Sequence, residues 1–289
     1  MVSQFAIEVR NLTYKFKESS DPSVVDINLQ IPWNTRSLVV GANGAGKSTL
    51  LKLLSGKHLC LDGKILVNGL DPFSPLSMNQ VDDDESIEDS TNYQTTTYLG
   101  TEWCHMSIIN RDIGVLELLK SIGFDHFRER GERLVRILDI DVRWRMHRLS
   151  DGQKRRVQLA MGLLKPWRVL LLDEVTVDLD VIARARLLEF LKWETETRRC
   201  SVVYATHIFD GLAKWPNQVY HMKSGKIVDN LDYQKDVEFS EVVNAKVNGQ
   251  VAFENDNNKV VISKVNSLHP LALEWLKRDN QIPDKEIGI

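Results

Sequence analysis

The residues best suited to chemistry lie in Gly41-Ala42-Asn43-Gly44-Ala45-Gly46-Lys47-Ser48-Thr49, between the apolar runs Leu38-Val39-Val40 and Leu50-Leu51-Lys52-Leu53-Leu54. Strand, glycine-rich turn, helix is the setting of a phosphate-binding P-loop. Glycines let the backbone curl until successive N–H groups point at phosphate oxygens, and the helix N-terminus adds its positive dipole end. Lys47 brings a point charge for the β- and γ-phosphates. The Ser48 hydroxyl is a candidate Mg2+ ligand, because this ion takes its oxygens from protein, phosphate and water. The ligand implied is a nucleotide with Mg2+, held by Gly41, Asn43, Gly44, Ala45, Gly46, Lys47, Ser48 and Thr49.

Two later stretches complete a reaction centre. Val169-Leu170-Leu171-Leu172 is wholly apolar and ends in Asp173-Glu174, which suits a central parallel strand buried on both faces. Carboxylates at the C-terminal end of such a strand stand where ligands bind in open α/β sheets. Asp173 is read as the group that holds the Mg2+ hydration shell, and Glu174 as the group that polarises attacking water. A second apolar run, Ser201 to Ala205, ends at Thr206-His207, and His207 reads as a γ-phosphate sensor. Before these, Leu149-Ser150-Asp151-Gly152-Gln153 places a serine and a glycine at the opening of a helix, a second anion-binding N-terminus.

These residues need a frame. Phe5 to Phe16 alternates as a strand, and Val25, Ile27, Leu29 and Ile31 alternate again up to Pro32, an antiparallel layer feeding the P-loop strand. Phe16, at a strand end, and Tyr14 are candidates to stack on adenine, although Tyr14 reads better as a core aromatic. Leu61 to Gly69 is a short strand bracketed by turns. Residues from about 71 to 93 are polar and acidic, with Asp82-Asp83-Asp84-Glu85, and read as a mobile surface insertion. Helical spacing runs from about 108 to 149, through Val115, Leu118, Leu119, Ile122, Leu134, Ile137 and Leu138, and a helical subdomain is expected over about 102–164. Arg143 to Arg148 is a basic run with one aromatic, read as a solvated segment rather than an RNA contact. Past residue 228, a hairpin turning at Asn255-Asp256-Asn257-Asn258 and a helix around Leu271 to Leu276 are expected.

The composition, 43% hydrophobic and 27% charged with a net charge of −3, is that of a soluble globular α/β protein and offers nucleic acid no general basic field. Three scattered cysteines, Cys60, Cys104 and Cys200, support neither a disulfide framework nor a zinc site. The N-terminus lacks the pattern of a signal peptide, and no apolar run is long enough to span a membrane. A reducing cytoplasm, and with it the nucleus, is the expected compartment.

Taken together the motifs resemble the ATP-binding cassette (ABC) ATPases: P-loop Gly41 to Thr49, signature Leu149 to Gln153, Walker B strand with its glutamate Val169 to Glu174, D-loop Val177 to Asp180 and switch His207. The match extends over about residues 5–228 and implies a P-loop NTPase cassette: a mixed sheet core with an antiparallel β layer and an inserted helical subdomain, plus a C-terminal extension over residues 229–289. It implies that two cassettes close head to tail, each ATP lying between one P-loop and the other chain's Ser150, Gly152 and Gln153, with Asp180 nearby and Glu174 and His207 catalytic. With one cassette in the chain, the unit is a homodimer or a pair with a similar chain. Three departures stand out. Asp151 replaces a glycine of the usual LSGGQ, the D-loop carries Val175, Val177 and Asp178, and Thr97 to Trp103 lacks the glutamine of the family's Q-loop, leaving Thr101 or Glu102 as substitutes. Since that loop couples ATP to membrane subunits in transporters, its loss points to the small soluble non-transporter cassettes. Among these is a fungal accessory factor of the carbon-catabolite-repression transcription and deadenylation complex, which implies a regulatory adaptor in a transcription or mRNA-turnover complex. A transporter subunit and an ATP-binding adaptor with little hydrolysis are the alternatives.

Overall fold

The structure is a computed structural model that describes residues 3–74, 96–100, 112–209, 211–240, 252–254, 259–263 and 268–280. The acidic segment beyond residue 74, Thr101, Glu102, Cys104 and the turn Asn255 to Asn258 lie outside the described residues.

Strands β3 (Arg36–Val40), β6 (Val169–Asp173) and β7 (Ser201–Ala205) are buried along their whole length. They pair in parallel in the sheet order β5-β6-β7-β3-β8-β9, with β5 (Thr96–Leu99) at one edge. At the other edge β8 (Gln218–Lys223) lies parallel to β3 and the last strand, β9 (Lys226–Asp232), runs antiparallel. Burial on both faces is what the unbroken apolar runs require. Their period of two divides the core: Leu38, Leu170, Leu172, Val202 and Tyr204 face one apolar cluster, and Val39, Val169, Leu171, Val203 and Ala205 face the other.

The second cluster is closed by α1 (Lys47–Leu54) and by an antiparallel sheet of β2 (Val24–Pro32), β1 (Phe5–Tyr14) and β4 (Lys64–Val67). The alternation expected of β2 holds at Ile27, Leu29 and Ile31 but fails before them: Val24, not Val25, is buried. Asp26 adopts a left-handed backbone, φ 46°, and the pairing slips there, Leu12 opposing Ile27 and Tyr14 opposing Val24. A bulge of this kind moves the following side chain to the other face.

The first cluster is covered by α2 (Val115–Ser121), α3 (Arg128–Ile137), α4 (Asp151–Leu164) and α5 (Val181–Thr197). The basic run meets its own carboxylates: Arg143 pairs with Asp141, and Arg145 and His147 both reach Asp112. Met146 is buried between them in a 3-10 turn.

After β9 a single turn, α6 (Tyr233–Asp236), leads to β10 (Val237–Ser240). The expected hairpin is β11 (Ala252–Glu254) with β12 (Lys259–Ser263), and β10 adds to β12 in parallel, a pairing across distant segments that local patterning does not reveal. Helix α7 (His269–Asn280) sends Leu271, Ala272 and Trp275 into the same core as Phe209, Trp215 and Val219. Trp275 stacks on His221 at 4.5 Å, and that buried imidazole lies between Asp229 (3.0 Å) and Asp279 (3.1 Å).

Candidate functional site

The C-terminal ends of the parallel strands β3, β5, β6 and β7 line up at one end of the sheet, and each delivers a polar residue there. From β3 the chain turns through Gly41 to Gly46 into α1. Gly46 has φ 101°, and a Cβ there would lie 2.5 Å from the Ser23 carbonyl oxygen, so only glycine fits. No side chain caps α1. The first-turn N–H groups, those of Lys47, Ser48 and Thr49, therefore have no intrahelical acceptor and lie open to an anion. Asn43 and Gly44 are exposed at the tip of the loop, and Ala45 is buried beneath it. Gly225, in the turn between β8 and β9, donates to the Ala45 carbonyl at 3.0 Å and fastens the loop to the sheet.

Lys47 is buried, and its ammonium donates to the carbonyls of Gly41 (2.8 Å) and Ala42 (3.0 Å). Burial lowers its pKa, opposed by the charges of Glu174 and Asp173. A polyphosphate beside it would supply the countercharge that burial removes.

Ser48 donates to one carboxylate oxygen of Asp173 at 2.9 Å, and Tyr98 of β5 donates to the other at 3.0 Å. Burial raises the Asp173 pKa, against the two hydrogen bonds that lower it. A hydroxyl and a carboxylate side by side at a helix N-terminus form a hard oxygen pair that fits Mg2+. Among the described residues no three His, Cys, Asp or Glu side chains converge as a metal cluster.

Glu174 follows at once, with φ 54°, a left-handed backbone that a non-glycine residue seldom adopts. Its N–H donates to the Ala205 carbonyl at 2.9 Å, so the strained turn is pinned to β7. The turn points the carboxylate out of the strand toward His207, whose Nδ1 lies 3.3 Å from Glu174 Oε1. Both side chains are partly exposed. A carboxylate and an imidazole in contact at this end of the sheet can orient a water and take its proton.

The remaining expected residues stand elsewhere on this chain. Ser150 caps α4: its hydroxyl accepts from the Gln153 N–H at 3.3 Å while the Gln153 side chain accepts from the Ser150 N–H at 3.0 Å. That reciprocal box occupies Gln153, and Gly152 lies against the Asp178 carbonyl. Asp180 caps α5 by accepting from the Ala183 N–H at 2.9 Å, and it pairs with Arg156. A second D-loop carboxylate, Asp178, also meets the signature helix, 3.4 Å from the buried Arg155. Phe16 is partly exposed and packs edge-on against Tyr14 and His58, so a third ring joins the candidate adenine platform. The sequence reading missed Tyr98, His58 and Arg155. Their roles rest on contacts across the chain, and the one local signal was a tyrosine hydroxyl closing an edge strand.

Residues 24–177 match the family model described as ABC transporter. ABC transporter I family member 21 of Arabidopsis thaliana is 43% identical over 244 residues, 81% of this chain and 82% of that protein. Member 20 is 42% identical over 224 residues, 75% of this chain and 64% of that protein. The fold is also that of cbiO1 from Clostridium perfringens, part of the ABC transporter complex cbiONQ, with TM-score 0.62, 21% identity, and coverage of 81% of this chain and 90% of that one. It is shared as well by a dimeric ATP-binding cassette solved with ADP and phosphate, TM-score 0.60, 20% identity, covering 78% and 98%. ATP and Mg2+ are the ligands of such cassettes, and this chain belongs to the ABC ATPase cassette family.

Proposed function

We propose that this chain binds and hydrolyses Mg·ATP between two head-to-tail cassettes, two copies of itself or a pair with a similar chain. The observation that carries the reading is the Glu174–His207 contact beside the Ser48–Asp173 pair. Bound Mg2+ would neutralise phosphate charge. Lys47 and the open N–H groups of α1 bind and orient the triphosphate. Glu174 accepts a proton from water as its oxygen bonds to the γ-phosphorus, the bond to the β-phosphate oxygen breaks, and ADP and phosphate result. His207 holds the Glu174 carboxylate and faces the γ-phosphate. Ser150 and Gly152 cover the other chain's ATP, with Asp180 behind them on α5.

Closing and reopening of the pair serves a regulatory adaptor in a larger complex of cytoplasm or nucleus, rather than transport. Support comes from the segment Thr97 to Trp103, which contains no glutamine to couple nucleotide to a membrane partner. The class of complex, transcription or mRNA turnover, rests on resemblance alone. A second reading, the ATP-binding subunit of a transporter, is favoured by the names of the relatives.

The test uses Glu174→Gln, which keeps shape and loses basicity. Hydrolysis is expected to fall about 10²–10⁴-fold, and Mg·ATP is expected to hold the variant as a dimer on size-exclusion chromatography. Equal turnover and equal dimer lifetime in wild type and variant would overturn the enzyme reading. Fractionation with membranes would favour the transporter subunit.

A further inference from the structure

We propose that Tyr98 is a positioning residue of the metal site, standing where the chain lacks the expected glutamine; this rests on the reading of Ser48 and Asp173 as the Mg2+ pair. Strand β5 runs parallel to β6 with Tyr98 opposite Leu171 and Leu99 opposite Leu172. Asp173 is therefore two residues further along its strand, and the Tyr98 ring must lean forward over the strand end to reach it. It does so across Gly100, where a Cβ would lie 2.6 Å from the Tyr98 hydroxyl oxygen. The absence of a side chain at residue 100 is what lets the hydroxyl come within 3.0 Å of Asp173 Oδ2.

Gly100 is itself held. Its carbonyl accepts from Arg155 Nη1 at 3.0 Å and from Gln158 Nε2 at 3.0 Å, both buried on the signature helix. A continuous line of contacts thus runs from α4 through Gly100 and Tyr98 to Asp173 and Ser48. With Oδ2 held by the phenol, rotation of the carboxylate is opposed and Oδ1 stays directed at Ser48, the pair that would hold the cation. The aromatic ring has a further support, the Lys57 ammonium 4.5 Å from its centroid. Loss of an outer partner of this kind typically costs about 10–100-fold in metal affinity.

The experiment measures Mn2+ binding to the full chain by electron paramagnetic resonance, with a non-hydrolysable ATP analogue present. Affinity for the analogue in EDTA is measured alongside. Tyr98→Phe is expected to weaken Mn2+ about tenfold or more while leaving metal-free nucleotide affinity at the wild-type value. Gly100→Ala, which keeps the phenol but displaces it, is expected to weaken Mn2+ in the same direction. Wild-type Mn2+ affinity in Tyr98→Phe overturns the proposal, as does a parallel loss of metal-free nucleotide affinity, which would mark a role in the fold alone. Asp173→Ala separates the two readings. If it leaves Mn2+ binding unchanged, the metal site itself is misassigned; if it abolishes binding while Tyr98→Phe does nothing, only Tyr98 is.

Discussion

Replacing Glu174 by glycine should stabilise the fold relative to replacing it by alanine, whatever either change does to turnover. At φ 54° an L-residue bears about 1–2 kcal/mol of steric cost, which glycine escapes. Against this, glycine gains about 0.5–1 kcal/mol of freedom in the unfolded chain. Both variants lose the His207 contact equally, so their difference isolates the backbone. Taken at mid-range, the net advantage of Glu174→Gly over Glu174→Ala is then about 0.75 kcal/mol. In a chain of this size that corresponds to about 1–4 °C in melting temperature. Differential scanning calorimetry without nucleotide reads the difference directly. If Glu174→Ala melts at or above Glu174→Gly, the backbone holds no strain at Glu174. A carboxylate retained where glycine would be more stable is the pattern expected when function, not stability, selects the residue.

Lys47→Ala should weaken ATP binding about 10–100-fold, the worth of charge-assisted hydrogen bonds to phosphate, measured by titration with a fluorescent analogue. Ser150→Ala removes the α4 cap and should cost about 1 kcal/mol of stability in denaturant melts, together with ATP-driven dimerisation. Gly152→Asp should also prevent dimer formation, but its Cβ would lie 2.9 Å from the Asp178 carbonyl, so a lowered melting temperature without nucleotide is expected as well. Burial pushes the Cys200 thiol up to about 12. Peptide mapping at pH 9 should find it unmodified by thiol reagents in native protein and modified after unfolding. The sign of the linkage follows: the unfolded thiol ionises near the ordinary ~8.5, so Cys200 contributes a loss of stability as pH rises from there toward 12.

The parts of this molecule that were legible in the sequence are those whose physics is local. The glycines of the P-loop act through their own backbone and Lys47 through its own ammonium, and the apolar run into Asp173-Glu174 needs only its own burial to declare a central strand. Asp180 illustrates the limit. Its place near the D-loop is readable, but its engagement as a helix cap with Arg156 depends on where α5 begins relative to α4. Val24 and Val25 exchange faces because of a left-handed Asp26, which an alternating pattern cannot report. Tyr98 is harder still, since its contact with Asp173 depends on strand register and on an unoccupied Cβ position at Gly100.

The stacking of Trp275 on His221 bears on where this chain can be cut. Adjacent residues on β8 face opposite ways: His221 meets the C-terminal helix, and Met222 lies below the P-loop, its methyl group 3.3 Å from where a Cβ on Gly46 would stand. One peptide unit therefore separates the tail from the floor of the nucleotide loop. A truncation before residue 268, drawn to trim the chain to its cassette, would strip Trp275 and Asp279 from the imidazole and uncover Phe209 and Val219. The trimmed protein would be a different object with a wetted sheet face, and nucleotide measurements made on it would not transfer to the whole chain.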